Sequence, residues 1–132
     1  MHLILCVDER DGMSFCGRRL SSDCSLTEYI LQLASGSKLW MNAYSAQIFP
    51  AAEIAVHEDF LQRAGKGEYC FAEITPLKDI TDVESVILCH WNRRYPFTQT
   101  FPRTLLADMH LVHTEHFPGN SHEKITIERY TL

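Results

Sequence analysis

Apolar residues fall in short unbroken runs through the first two-thirds of the chain and in longer β-prone segments at its end. Leu3-Ile4-Leu5-Cys6-Val7 runs without alternation up to Asp8, a pattern that suits a strand buried on both faces. Ser85 to Trp91 repeats it around Val86-Ile87-Leu88-Cys89. Between these runs, Lys38-Leu39-Trp40-Met41, Glu53-Ile54-Ala55-Val56 and Glu68 to Glu73 predict three more short strands. Helical spacing of Leu26, Ile30 and Leu33, with Tyr29, predicts a helix ended by Gly36. Ser25-Leu26-Thr27-Glu28 reads as its capping box, with Ser25 as N-cap and Glu28 reaching back. Asn42 to Phe49 predicts a short helix stopped by Pro50, and Phe60 to Ala64 a helical turn. Segments around Met109–Thr114 and Lys124–Tyr130, joined by the turn Phe117-Pro118-Gly119-Asn120-Ser121, predict a closing hairpin.

Strands separated by short helices, then a terminal hairpin, predict an α/β fold. Its single central sheet is mixed and mainly parallel, with flanking short helices and a C-terminal antiparallel hairpin. At 132 residues this is one domain, residues 1–132. The longest apolar run is far short of the roughly 20 residues that span a bilayer. His2–Val7 also lacks the basic flank of a secretory signal, so the expected setting is cytoplasmic with no membrane partner. Five cysteines without a CxxC pair fit reduced thiols. Cys6, Cys70 and Cys89 lie inside apolar runs and read as core, whereas Cys16 and Cys24 lie in the first loop.

Asp8 stands at the carboxyl end of the first strand, where open α/β sheets hold their ligands, and a long loop with Gly12 and Gly17 follows it. That loop is the expected site. The first turn of the Asn42 helix offers N–H groups to an anion, with Ser45 adding a hydroxyl.

These blocks resemble dihydrofolate reductase. ILCVDERDGMSFCGRRL is similar to that family's first strand and mobile loop, and LASGSKLWMNAYSAQIF to its second strand and nucleotide-facing helix. VILCHWNRRYPFTQTFP followed by MHLVHTEHFPGNSHEKITIERY is similar in order and spacing to its final strands. The departures carry as much weight. Leu20-Ser21-Ser22 stands where the family has a Pro-Trp pair. The place of its single active-site carboxylate falls at Leu26 or Thr27, with Asp23 and Glu28 the nearest acids. Asn42-Ala43-Tyr44-Ser45 replaces Gly-Arg-x-Thr, so the phosphate-pairing arginine is gone. Phe71-Ala72-Glu73-Ile74-Thr75 replaces the Gly-Gly cofactor turn, and Cys89 the supporting threonine. The segment between Val56 and Tyr69 is too short for the family's extra strand and helix.

Without the glycine turn and the arginine, a pyrophosphate lacks both close backbone approach and a bidentate partner. Without a buried carboxylate, a pterin edge has no charged partner. The expectation is a non-catalytic module that binds a small ligand or a protein, has no reductase activity and uses no NADPH. Candidate ligand-binding residues are Met13, Arg18, Arg19, Asn42, Ser45, Cys89 and His90. The alternative is an enzyme of altered specificity for a nucleotide- or pterin-like substrate, with Asp8, Asp23 or Glu28 as acid or base. A third reading makes Arg18, Arg19, Arg93 and Arg94 a phosphate or RNA site. The net charge of −5 argues against nucleic acid as the default partner. Exposed Trp91, Tyr95 and Phe97 would suit a protein interface, and edge strands would allow a homodimer. His110, His113 and His116 match no metal signature, since the first and last share a strand face and His113 points the other way.

Overall fold

The structure, a computed structural model, describes residues 1–50 and 53–132. Its elements in chain order begin with β1 (His2–Val7), β2 (Gly12–Phe15), β3 (Arg18–Arg19), α1 (Cys24–Leu33), β4 (Leu39–Met41) and α2 (Ala43–Ala46). There follow β5 (Ala55–Val56), α3 (Phe60–Arg63), β6 (Tyr69–Phe71), β7 (Ser85–His90) and β8 (Gln99–Thr100). A 3₁₀ turn (Arg103–Leu106), β9 (His110–Phe117) and β10 (Ile125–Thr131) close the chain.

Seven strands form the main sheet in the order β5-β4-β6-β1-β7-β10-β9. The pairings β5–β4, β4–β6, β6–β1 and β1–β7 are parallel, and β7–β10 and β10–β9 are antiparallel. This is the mixed, mainly parallel sheet with a C-terminal hairpin that the apolar pattern predicts. β1 lies in the middle because its side chains are apolar on both faces. Leu3, Leu5 and Val7 pack with Val86, Leu88 and α3's Phe60 and Leu61, while Ile4 packs on the other face with α1's Leu26 and Ile30, Phe71 and Ile87. Each such burial is worth roughly 2 kcal/mol.

A second sheet of three short strands, β3-β2-β8, grows from the first loop. Cys16 and Gly17, with φ of 48° and 75°, make the two-residue turn between β2 and β3. Positive φ at both turn residues matches the twist of a tight hairpin. This sheet is absent from the sequence expectation because its strands are two to four residues long and carry no readable period.

Two local expectations are corrected. Asp23, not Ser25, is the N-cap of α1: its φ and ψ are extended and its carboxylate accepts the Ser25 N–H. Glu28 is exposed and forms no capping box. α2 spans only Ala43–Ala46, shorter than the expected Asn42–Phe49 helix, with Asn42 as its N-cap. In the hairpin, β10 shifts register against β9 between Arg129 and Tyr130.

Candidate functional site

The carboxyl ends of β1, β4, β6 and β7 lie along one edge, and Asp8, Asn42, Glu73 and Trp91 follow them within two residues. All four are buried. At this edge the sequence supplies its polar groups, and the structure ties nearly every one of them to another.

Asp8 closes the first loop. Its carboxylate accepts the N–H groups of Gly12 (2.7 Å), Arg10 (2.8 Å) and Tyr95 (3.1 Å). Burial acts to raise its pKa, but those three N–H bonds outweigh it and hold the group below the usual aspartate range. These three bonds make Asp8 the clamp of the first loop.

Arg19, Tyr44, Ser45 and Glu73 form a second cluster. The Arg19 guanidinium donates to both Glu73 oxygens, from Nε at 3.0 Å and Nη2 at 3.1 Å. It also lies over the Tyr44 ring, 4.3 Å from its centroid. Ser45 Oγ donates to Glu73 Oε1 at 2.8 Å, while the Asn42 side chain accepts the Ser45 N–H. The hydroxyl offered to an external anion is therefore already bonded to an internal carboxylate.

Asp23 organises the third cluster. Besides capping α1, it accepts the N–H groups of Asn120 (3.0 Å) and Ser121 (2.8 Å), which lie on the loop between β9 and β10. His122 Nδ1 stands 3.0 Å from Asp23 Oδ2, and Nε2 of the same ring stands 3.1 Å from Ser21 Oγ and 3.0 Å from the Tyr95 hydroxyl. Because Asp23 is a carboxylate, His122 Nδ1 is the donor of that pair. The imidazole stacks on Trp91 at 4.6 Å between ring centroids.

Between these clusters the cleft is nearly closed. Cys6, Leu26, Thr27, Ile30, Ile48 and Phe71 help to line a space of only about 10 Å³, no more than one water molecule needs. Outward it meets an open hollow of about 340 Å³ that shares Ser22, Asp23, Thr27 and Ile48 with it.

The structure gathers the other expected site residues only in part. Met13 and Cys89 are core side chains, on opposite faces of the main sheet. His90 follows the Leu88 side of β7, away from Cys89, and pairs with Glu128 across to β10. Arg18 is exposed, Arg93 Nη2 donates to the Ser121 carbonyl, and Arg94 faces Glu9. With Arg19 turned inward to Glu73, the four arginines have four separate surroundings. Trp91 is buried under His122 and so is not the exposed aromatic expected for an interface. His113 and His116 are exposed on β9, bonded to Glu115 and Thr126 respectively. Among the described residues no helix is long and apolar enough to cross a membrane.

Sequence reasoning missed Glu73, His122 and Ser21 as site residues. Glu73 carried one readable signal, a charged residue two places after an apolar parallel strand. His122 carried none, since its partners Ser21 and Asp23 lie 101 and 99 positions away.

No family description matches this sequence, and no curated protein matches it. Among solved structures, the chain is similar to dihydrofolate reductase from Enterococcus faecalis, determined with NADP(H) and RAB-propyl. That likeness has a TM-score of 0.69 at 12% identity and covers 98% of this chain and 94% of that one. The strand order, the long loop after β1 and the terminal hairpin thus have a common explanation: the chain has the dihydrofolate reductase fold.

Proposed function

We propose that this chain carries out no dihydrofolate reduction and serves as a binding module for a small molecule or a protein at the mouth where β1, β4, β6 and β7 end. The observation that carries this reading is Glu73. Its carboxylate takes the Ser45 hydroxyl and neutralises Arg19, the groups nearest to where the resemblance puts a cofactor phosphate. Among the described residues, a phosphate arriving there finds Arg19 already paired with Glu73 and no glycine turn. The closed space beside Leu26 and Thr27 supports the same reading, since ligand pockets for molecules of folate size run to roughly 300–1,000 Å³.

The phosphate or RNA reading is disfavoured by the engagement of Arg19 with Glu73 and of Arg94 with Glu9. One observation favours an enzyme of altered chemistry, namely the bonding of Asp23 through His122 to Ser21.

A thermal-shift screen over nucleotides, pterins and folates tests the proposal. A native-state ligand at a hundred times its Kd stabilises by about 2.7 kcal/mol. No shift is expected with NADPH, with dihydrofolate or with both together, and a concentration-dependent shift with either overturns the reading.

A further inference from the structure

We propose that Ser21, His122 and Asp23 form a nucleophile–base–carboxylate relay that hydrolyses esters of short acyl groups at the mouth of the cleft. This activity neither requires nor excludes a nicotinamide, so it stands apart from the absence of reductase chemistry.

Geometry comes first. Ser21 Oγ and His122 Nε2 are 3.1 Å apart, and His122 Nδ1 and Asp23 Oδ2 are 3.0 Å apart, both within the reach required for proton transfer through an imidazole. The two ring nitrogens face different partners, as the relay demands. Asp23 is fixed by the N–H groups of Ser25, Asn120 and Ser121, and the imidazole by stacking on Trp91. The base is thus held by a carboxylate on one side and a ring face on another, rather than floating on a surface loop. Ser21 itself is half-buried in the stretch between β3 and α1, and it lines the narrow inner space of the cleft.

The surroundings set the substrate class. The inner space of about 10 Å³ is walled largely by apolar side chains, including Leu26, Ile30 and Phe71, and takes a methyl-sized acyl end. The adjoining hollow of about 340 Å³ takes the alcohol part. The first turn of α1 lies between them, with its Ser25 N–H held by the Asp23 carboxylate and its Thr27 N–H by the Asp23 carbonyl.

In the reaction, Ser21 Oγ bonds to the ester carbonyl carbon while its proton passes to His122 Nε2. The carbonyl oxygen takes the electron pair as an oxyanion. Collapse of that intermediate breaks the bond to the alcohol oxygen, which leaves with the proton from Nε2, and acyl-Ser21 remains. Water then attacks the acyl carbon and gives a proton to Nε2; the acyl–Oγ bond breaks, Ser21 Oγ takes that proton back, and a carboxylic acid leaves. Asp23 stays ionised throughout and orients the ring. The Tyr95 hydroxyl, 3.0 Å from Nε2, competes with Ser21 for its single lone pair.

The test is incubation of the full chain with p-nitrophenyl acetate, followed by acid quench and peptide mapping. Acetylation of Ser21, together with a burst of p-nitrophenolate approaching one per chain, is expected. His122→Gln is expected to lower the rate of Ser21 acetylation by roughly a hundredfold, the usual size of a general-base contribution. Should that variant not fold, Tyr95→Phe replaces it and is expected to raise the rate several-fold by freeing Nε2. Acetyl groups found only on lysines and cysteines would overturn the proposal. So would an undiminished Ser21 rate in folded His122→Gln, or a Tyr95→Phe rate no higher than that of the parent chain. The three side chains would then serve only to pin the β9–β10 loop to α1.

Discussion

Arg19 and Glu73, 54 positions apart, meet side-on, with two guanidinium nitrogens donating to two carboxylate oxygens at 3.0 and 3.1 Å. The pair joins the small sheet to the end of β6, and the Ser45 hydroxyl completes it. Removing one partner leaves the other without its countercharge in a largely desolvated place. Glu73→Ala should therefore cost about 3 kcal/mol in urea unfolding, whereas Arg19→Met with Glu73→Leu should recover most of that loss. The single variant also frees Arg19 and Ser45. Inorganic phosphate should raise the Tm of Glu73→Ala and leave that of the parent chain unchanged.

Asp23 makes the fold sensitive to acid. Burial alone would raise its pKa, but donors from Asn120, His122, Ser121 and Ser25 outweigh burial and hold it well below the usual aspartate range. A folded-state pKa below the unfolded value of about 3.9 gives stability that is complete at neutral pH. That stability is lost as the pH falls from about 4 towards the folded value. Asp23→Asn should lose about 3 kcal/mol at neutral pH, because one neutral amide cannot accept every one of those donors. Its stability should then fall less steeply than the parent's between about pH 4 and pH 2, as followed by circular dichroism.

Gly119 presses on the same carboxylate. A Cβ there would stand 2.6 Å from Asp23 Oδ2 and 2.9 Å from the His122 carbonyl oxygen. Both neighbours are tied down by hydrogen bonds, so neither yields cheaply. Gly119→Ala should cost about 2 kcal/mol in urea unfolding.

The thiols divide by environment. Cys16 and Cys24 are exposed, whereas Cys70 and Cys89 are buried. Bonding to Cys89, then burial, pushes the Cys6 thiol well up, and burial takes Cys70 to about 12. Thiolate is the reactive form, so a disulfide reagent at neutral pH should modify Cys16 and Cys24 promptly and the other three only after denaturation.

How far the chain could be read depended on the distance between partners. β1 and β7 were legible because burial on both faces leaves an unbroken apolar run. The hairpin was legible from β-prone segments around Pro118-Gly119. The cap of α1 was misread because Ser25 and Glu28 have the right local spacing, while Asp23 is favoured by two N–H groups from residues 120 and 121. The site was legible only as a place, the edge after Asp8. The pairings of Arg19 with Glu73 and of Asp23 with His122 join residues far apart in the chain. No local periodicity encodes such contacts.

The proposal that this dihydrofolate reductase fold does not grip a dinucleotide is tested most directly by one steady-state assay. Purified full-length chain is mixed with NADPH and dihydrofolate, and NADPH absorbance is followed with and without chain. The account predicts equal rates at every chain concentration. A dihydrofolate-dependent loss of NADPH that scales with chain concentration would contradict it.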